Sequence, residues 1–100
     1  MKKISKKDIE DALSKTNHPE ISYSLLKLGM IKNINVEKEN VSLTLALPFL
    51  EIPIKEDLIN IIKESLNNLN KNIKTKIKTA EMDEKEKKKF MNLAREGWIS

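Results

Sequence analysis

The stretch Val41-Ser42-Leu43-Thr44-Leu45-Ala46-Leu47 alternates large apolar residues with small or polar ones, and a side-chain period of two can sort these onto opposite faces only in a β-strand. Just upstream, Ile34 and Val36 share one parity while Asn33, Asn35 and Glu37 take the other, so the chain from Met30 reads as a second half-buried strand. Glu37 to Asn40 form a polar four-residue connection. The two strands are therefore predicted to be a hairpin with one wet face, on which Ser42, Thr44 and Ala46 lie.

Elsewhere the period is that of a helix. Ser5 and Asp8 have capping-box spacing, and Ile9, Ala12 and Leu13 then fall on one face, which predicts a helix from about Lys6 to Lys15. Asn17-His18-Pro19 ends it, because proline cannot continue the turn. Leu25, Leu26 and Leu28 follow in a turn-like segment closed by Gly29, where a backbone angle or a close approach should forbid a side chain. A second helix is predicted near Ile54, with Pro53 at its first position and Leu58, Ile61, Ile62, Leu66 and Leu69 as its buried stripe. Ile73, Thr75 and Ile77 alternate with Lys74, Lys76 and Lys78, a third strand whose cationic outer face discourages edge-to-edge pairing. Asp83 to Trp98 should be a last helix, with Phe90, Leu93 and Ala94 on one face and Glu84/Lys88 and Glu86 with Lys85 and Lys89 as surface pairs. The order α-β-β-α-β-α predicts an α+β, two-layer domain, its three-stranded sheet (hairpin plus third strand) covered by helices. Residues 1–80 are expected to form that domain, and residues 81–100 a helical extension packed on it.

Composition removes several classes of chemistry. The chain of 100 residues contains no cysteine and a single histidine, His18, so thiolate metal sites, cysteine nucleophiles and ligation of a cluster by this chain alone are excluded. The net charge of +4 is almost all lysine, with Arg95 the only arginine. Bidentate recognition of phosphates and bases favours arginine, so nucleic acid is disfavoured as a partner. No apolar run approaches the roughly 20 residues that span a bilayer, and the lysine-rich Met1–Lys7 is not followed by a signal-peptide core, so a cytoplasmic location and no membrane partner are expected.

Few residues offer a catalytic constellation. His18 titrates near neutrality but has no nucleophile in motif with it, and its place between a helix cap and a proline suits a turn residue. Glu20, after Pro19, is positioned to cap the Ile21–Leu28 segment. With Gly29 and Gly97 as the only glycines, no phosphate-cradling loop exists. No catalytic residue, resident metal or cofactor is assigned. The loop from Pro48 to Pro53 stands out because Phe49, Leu50 and Ile52 occupy positions where loops carry polar residues. Such a loop either folds onto the core or is offered to a partner. Trp98 poses the same choice, closing the domain or anchoring a partner.

The order of these features resembles the PaaD/SufT-like iron–sulfur cluster assembly domain family, whose domain also stands at the N-terminus of Mrp/ApbC-type cluster-carrier ATPases. The resemblance spans about Ile9 to Ile77. Pro19 and Glu20 match that family's Asp-Pro-Glu turn, with His18 in place of the aspartate, and Leu28, Gly29, Met30 and Ile31 match its Leu-Gly-Met/Leu-Ile/Val element. Where many members carry Thr and then Cys-Pro, this chain has Ala46 and then Ile52-Pro53, so no thiol role carries over. Pro48-Phe49 is similar to the Met-Pro-Phe form of some ATPase-linked members, and Met82–Trp98 to a C-terminal extension of others.

The resemblance implies a non-enzymatic adaptor in cluster assembly or delivery, with a carrier ATPase of the Mrp/ApbC type or iron–sulfur client proteins as partners and a homo-oligomer as a further option. The expected partner-binding residues are Pro19, Glu20, Gly29, Pro48, Phe49, Leu50, Ile52 and Pro53, in two loops at one end of the sheet. Three rival readings stay open: a nucleic-acid-binding module using the lysine face, a small hydrolase using His18 and Glu20, and a degenerate interaction or oligomerisation domain.

Overall fold

The computed structural model describes residues 4–49 and 51–98; Leu50 of the apolar loop and Met1–Lys3 of the lysine-rich start lie outside them. The elements are α1 (Lys6–Ser14), β1 (Ile31–Glu37), β2 (Asn40–Leu47), α2 (Lys55–Leu69), β3 (Lys74–Glu81) and α3 (Glu84–Gly97), an α+β fold in the predicted order. The Ser5–Asp8 capping box forms, with Asp8 N–H donating to Ser5 Oγ and Ser5 N–H to the Asp8 carboxylate. A second box, Asp83 with Glu86, starts α3. Pro53 precedes the N-cap residue Ile54 instead of occupying the first helical position. No helix among the described residues is long and apolar enough to cross a membrane.

Central β2 pairs antiparallel with β1 and parallel with β3, and α2 supplies the crossover that a parallel connection requires. The β1–β2 turn is tighter than predicted: Glu37 pairs with Asn40, leaving two residues, of which Lys38 takes φ 58°. β3 pairs with β2 alone, so its lysines do mark an edge strand.

A bulge in β1 was not visible in the alternation. Ile31 pairs with Leu45 and Lys32 with Thr44, yet Asn35 pairs with Ser42, so Asn33 and Ile34 together oppose Leu43. Asn33 adopts φ 56°, a conformation asparagine tolerates better than most residues. The extra residue brings Ile31, Ile34 and Val36 to one face, which a strict period of two would forbid. That face packs on Ile9 and Leu13 of α1 and on Leu58, Ile62 and Leu66 of α2, together with Val41, Leu43, Leu45 and Leu47.

The other face is not uniformly wet. Ala46 is fully buried and Thr44 nearly so, although alternation puts both on the solvent side. Ala46 sits beside Ala80 in the ladder, and the buried Met30, Met82 and Phe90 occupy the same end. α3 reaches this end: Glu86, expected to pair within its own helix, instead accepts from Lys32 Nζ at 3.0 Å. The Asp83 amide and then the Lys32 ammonium hold its carboxyl below the usual carboxylate range. Three helices thus cover the sheet from two sides, α1 and α2 over one face and α3 over the end of the other.

Candidate protein-docking groove

The segment after α1 folds back as a short paired turn. His18 N–H donates to Tyr23 O at 3.0 Å, Leu25 N–H to Thr16 O at 2.8 Å, and Asn17 bridges to Ser24. His18 is buried, and its Nδ1 accepts from the Glu20 amide at 2.9 Å. This is the two-residue reach of an Asx turn, made by a histidine. The Glu20 side chain is exposed, and Ser24, not Glu20, caps the next turn by accepting from Lys27 N–H at 3.0 Å. The C-terminal end of α3 closes on this turn, where Ser22 N–H donates to Gly97 O at 2.7 Å and Ile21 bridges to Trp98.

Between this turn, α3 and the Pro48–Ile54 connection lies an open groove of about 740 Å³. Pro48, Ile52, Pro53 and Ile54 form one wall, and Phe90, Met91 and Ala94 of α3 with its C-cap Trp98 form the other. His18, Ile21 and Met30 line it further, with Glu20 and Arg95 supplying its charge. Phe49 stands at its border, 57% exposed, with the Lys87 ammonium 5.0 Å from its ring centroid. The chain's four aromatic residues, Tyr23, Phe49, Phe90 and Trp98, all gather here, Tyr23 by packing on Gly97.

The groove joins Glu20, Pro48, Ile52 and Pro53 of the expected site, with Phe49 beside them. Pro19 is exposed between His18 and Glu20 on the same turn. Gly29 is separate: it has φ 75°, a Cβ there would meet nothing within 4 Å, and its role is to turn the backbone into β1. The apolar loop divides between both options, Pro48 buried and Phe49 outward. Trp98, 56% exposed, contacts the domain through its backbone bridge and leaves much of its side chain to solvent. Trp98 apart, the α3 wall was missed, although Phe90, Met91, Leu93 and Ala94 cover an arc wider than one buried stripe needs.

The matched family is described as "iron-sulfur cluster assembly protein", and its sequence model matches residues 6–79. The chain belongs to this family. Among solved structures, the assembly domain is similar to a crystal structure of a domain of unknown function, DUF59, from Bacillus anthracis, with TM-score 0.70 and 12% identity over 88% of this chain and 90% of that one. That likeness is one of fold. No curated protein sequence matches the chain. In this turn the His18 Nδ1 acceptor does what a carboxylate oxygen does in an Asx turn. Among the described residues, no three His, Cys, Asp or Glu side chains converge as a metal site would require.

Burial pushes the His18 imidazole below its ordinary range, with the Glu20 carboxylate pulling the other way. The unfolded chain therefore takes up this proton first as pH falls. Stability is fully present above about pH 6.5 and declines as pH drops through that value, by at most about 1.4 kcal/mol per pH unit. Denaturant midpoints between pH 8 and 5 should show this slope in the wild type and lose it in His18→Asn, which keeps an acceptor for the Glu20 amide. Equal slopes in the two proteins would remove His18 as the source.

Proposed function

We propose that this domain is a non-enzymatic adaptor in iron–sulfur cluster assembly or delivery, working in the cytoplasm by protein contacts made at the groove. The observation that carries the reading is the joining of the family's Pro-Glu turn to the apolar loop in one partly exposed apolar surface. Monomeric soluble proteins rarely leave such surfaces without a use. With no cysteine in the chain, the cluster is cargo held by another protein, and the domain's contribution is recognition. A carrier ATPase of the Mrp/ApbC type or an apoprotein awaiting its cluster fits that role. The domain boundary proposed is near residue 80, with α3 as an extension that completes the groove.

The test is affinity capture from native lysate with wild type, Phe49→Ala and Glu20→Ala. Wild type should recover iron–sulfur assembly proteins, and Phe49→Ala should weaken recovery at least tenfold with no change in melting temperature, since Phe49 is mostly exposed. Undiminished recovery by both variants would sink the reading. The nucleic-acid rival rests on Lys74, Lys76 and Lys78, with Ser42 and Thr44 beside Lys76 and Lys78 in the ladder and no aromatic residue lining the hollow around them. That reading requires nucleic-acid binding that falls steeply with salt.

A further inference from the structure

We infer that the groove receives an amphipathic helical segment of a partner protein whose apolar anchors are flanked by carboxylates. The inference rests on the adaptor reading and adds the chemistry of the partner. Three of the four large apolar side chains exposed among the described residues, Phe49 at 57%, Met91 at 50% and Trp98 at 56%, border this groove, while the fourth, Leu69, lies at the end of α2. Steps of three and four residues place Lys88, Met91 and Arg95 on one stripe of α3, and Trp98 follows as its C-cap. Cation and apolar anchor thus alternate along about 15 Å, roughly three turns of a docked helix.

The charge on this stripe is free for a partner. The described residues hold two salt bridges, Lys32–Glu86 and Lys87–Glu81, and neither uses Lys88 or Arg95. At the opposite wall, α2 begins at Ile54 with no side-chain cap, whereas α1 and α3 both have capping boxes. Glu56 and Asp57 in its first turn already offset its positive end, and Glu20 is the one carboxylate among the lining residues, so the preference for an acidic partner rests on Lys88 and Arg95. A second copy of the chain fits poorly: a two-fold contact of α3 on α3 about Met91 would bring Lys88 of one copy to Arg95 of the other, like charge against like.

Trp98 is the chain's only tryptophan and lines the groove, so its emission reports occupancy directly. The full chain would be titrated with two helical peptides of identical leucine anchors, one flanked by glutamates and one by lysines. The expected result is a blue shift with the acidic peptide and at least tenfold tighter binding than the basic one, narrowing as salt shortens the Debye length. Lys88→Glu with Arg95→Glu, both exposed, should reverse the preference at unchanged helicity and melting temperature. Equal affinity for the two peptides, no shift with either, or a shift driven by protein concentration alone with a dimer mass would overturn the inference. If the doubly reversed variant still captures iron–sulfur proteins in a Phe49-dependent way, the charge assignment falls and the adaptor reading stands. If the domain binds the acidic peptide but captures no such protein, the charge assignment stands and the adaptor reading falls.

Discussion

Ala46→Glu is expected to cost about 3–5 kcal/mol, because a carboxylate placed there is buried without a partner. Ala46 is fully buried, next to Ala80 in the ladder and at the end of the sheet that α3 covers. Its neighbours Ala80, across the ladder, and Met30, whose carbonyl accepts the Ala46 amide, offer the charge neither a side-chain hydrogen bond nor a counter-ion. A loss of this size is a large part of the roughly 5–15 kcal/mol that holds a typical domain together. Urea midpoints for wild type, Ala46→Glu and Ala46→Ser would measure it, the serine variant separating charge from bulk. A glutamate variant with the wild-type midpoint would mean that this face is open to solvent, as strict alternation suggests.

Gly97→Val should be the next most damaging change, at about 1–3 kcal/mol, by overfilling the seam between α3 and the turn. A Cβ at Gly97 would stand 2.8 Å from Tyr23 Cε2 and 2.9 Å from Tyr23 Cδ2. The ring has little freedom to retreat, since its hydroxyl donates to Glu96 and the Lys27 ammonium lies 4.4 Å over its face. The strain falls where α3 meets Ile21 and Ser22, so the groove should open before the sheet melts. Trp98 emission should accordingly change at lower urea than far-UV circular dichroism. Coincident transitions at the wild-type midpoint would show that the seam relaxes without cost. Gly29→Ala is the contrasting case, where only the positive φ is strained and the cost is about 1–2 kcal/mol.

The groove shows why the candidate site was only half legible. Pro19-Glu20 and Pro48–Pro53 were readable because proline and misplaced apolar residues are local signals. Trp98 apart, the α3 wall was not, because Met91 becomes part of a surface only when the helix is set against a turn some 70 residues earlier in the chain; Tyr23 and Glu96 are that far apart. Glu86 makes the same point: its choice of Lys32 over a helical neighbour depends on where β1 lies.

For the hairpin, alternation by itself determined that Val41 to Leu47 is a strand and which of its residues share a face, since the backbone pleat enforces that parity. The cap at Ser5 was equally local, satisfied within three residues. What alternation could not determine is whether a face meets water. The burial of Ala46, the bulge at Asn33 that realigns Ile31 with Ile34 and Val36, and the parallel pairing of β3 were decided by tertiary structure. Each depends on which element arrives to cover or pair with the strand, and that contact energy is carried by residues distant in sequence.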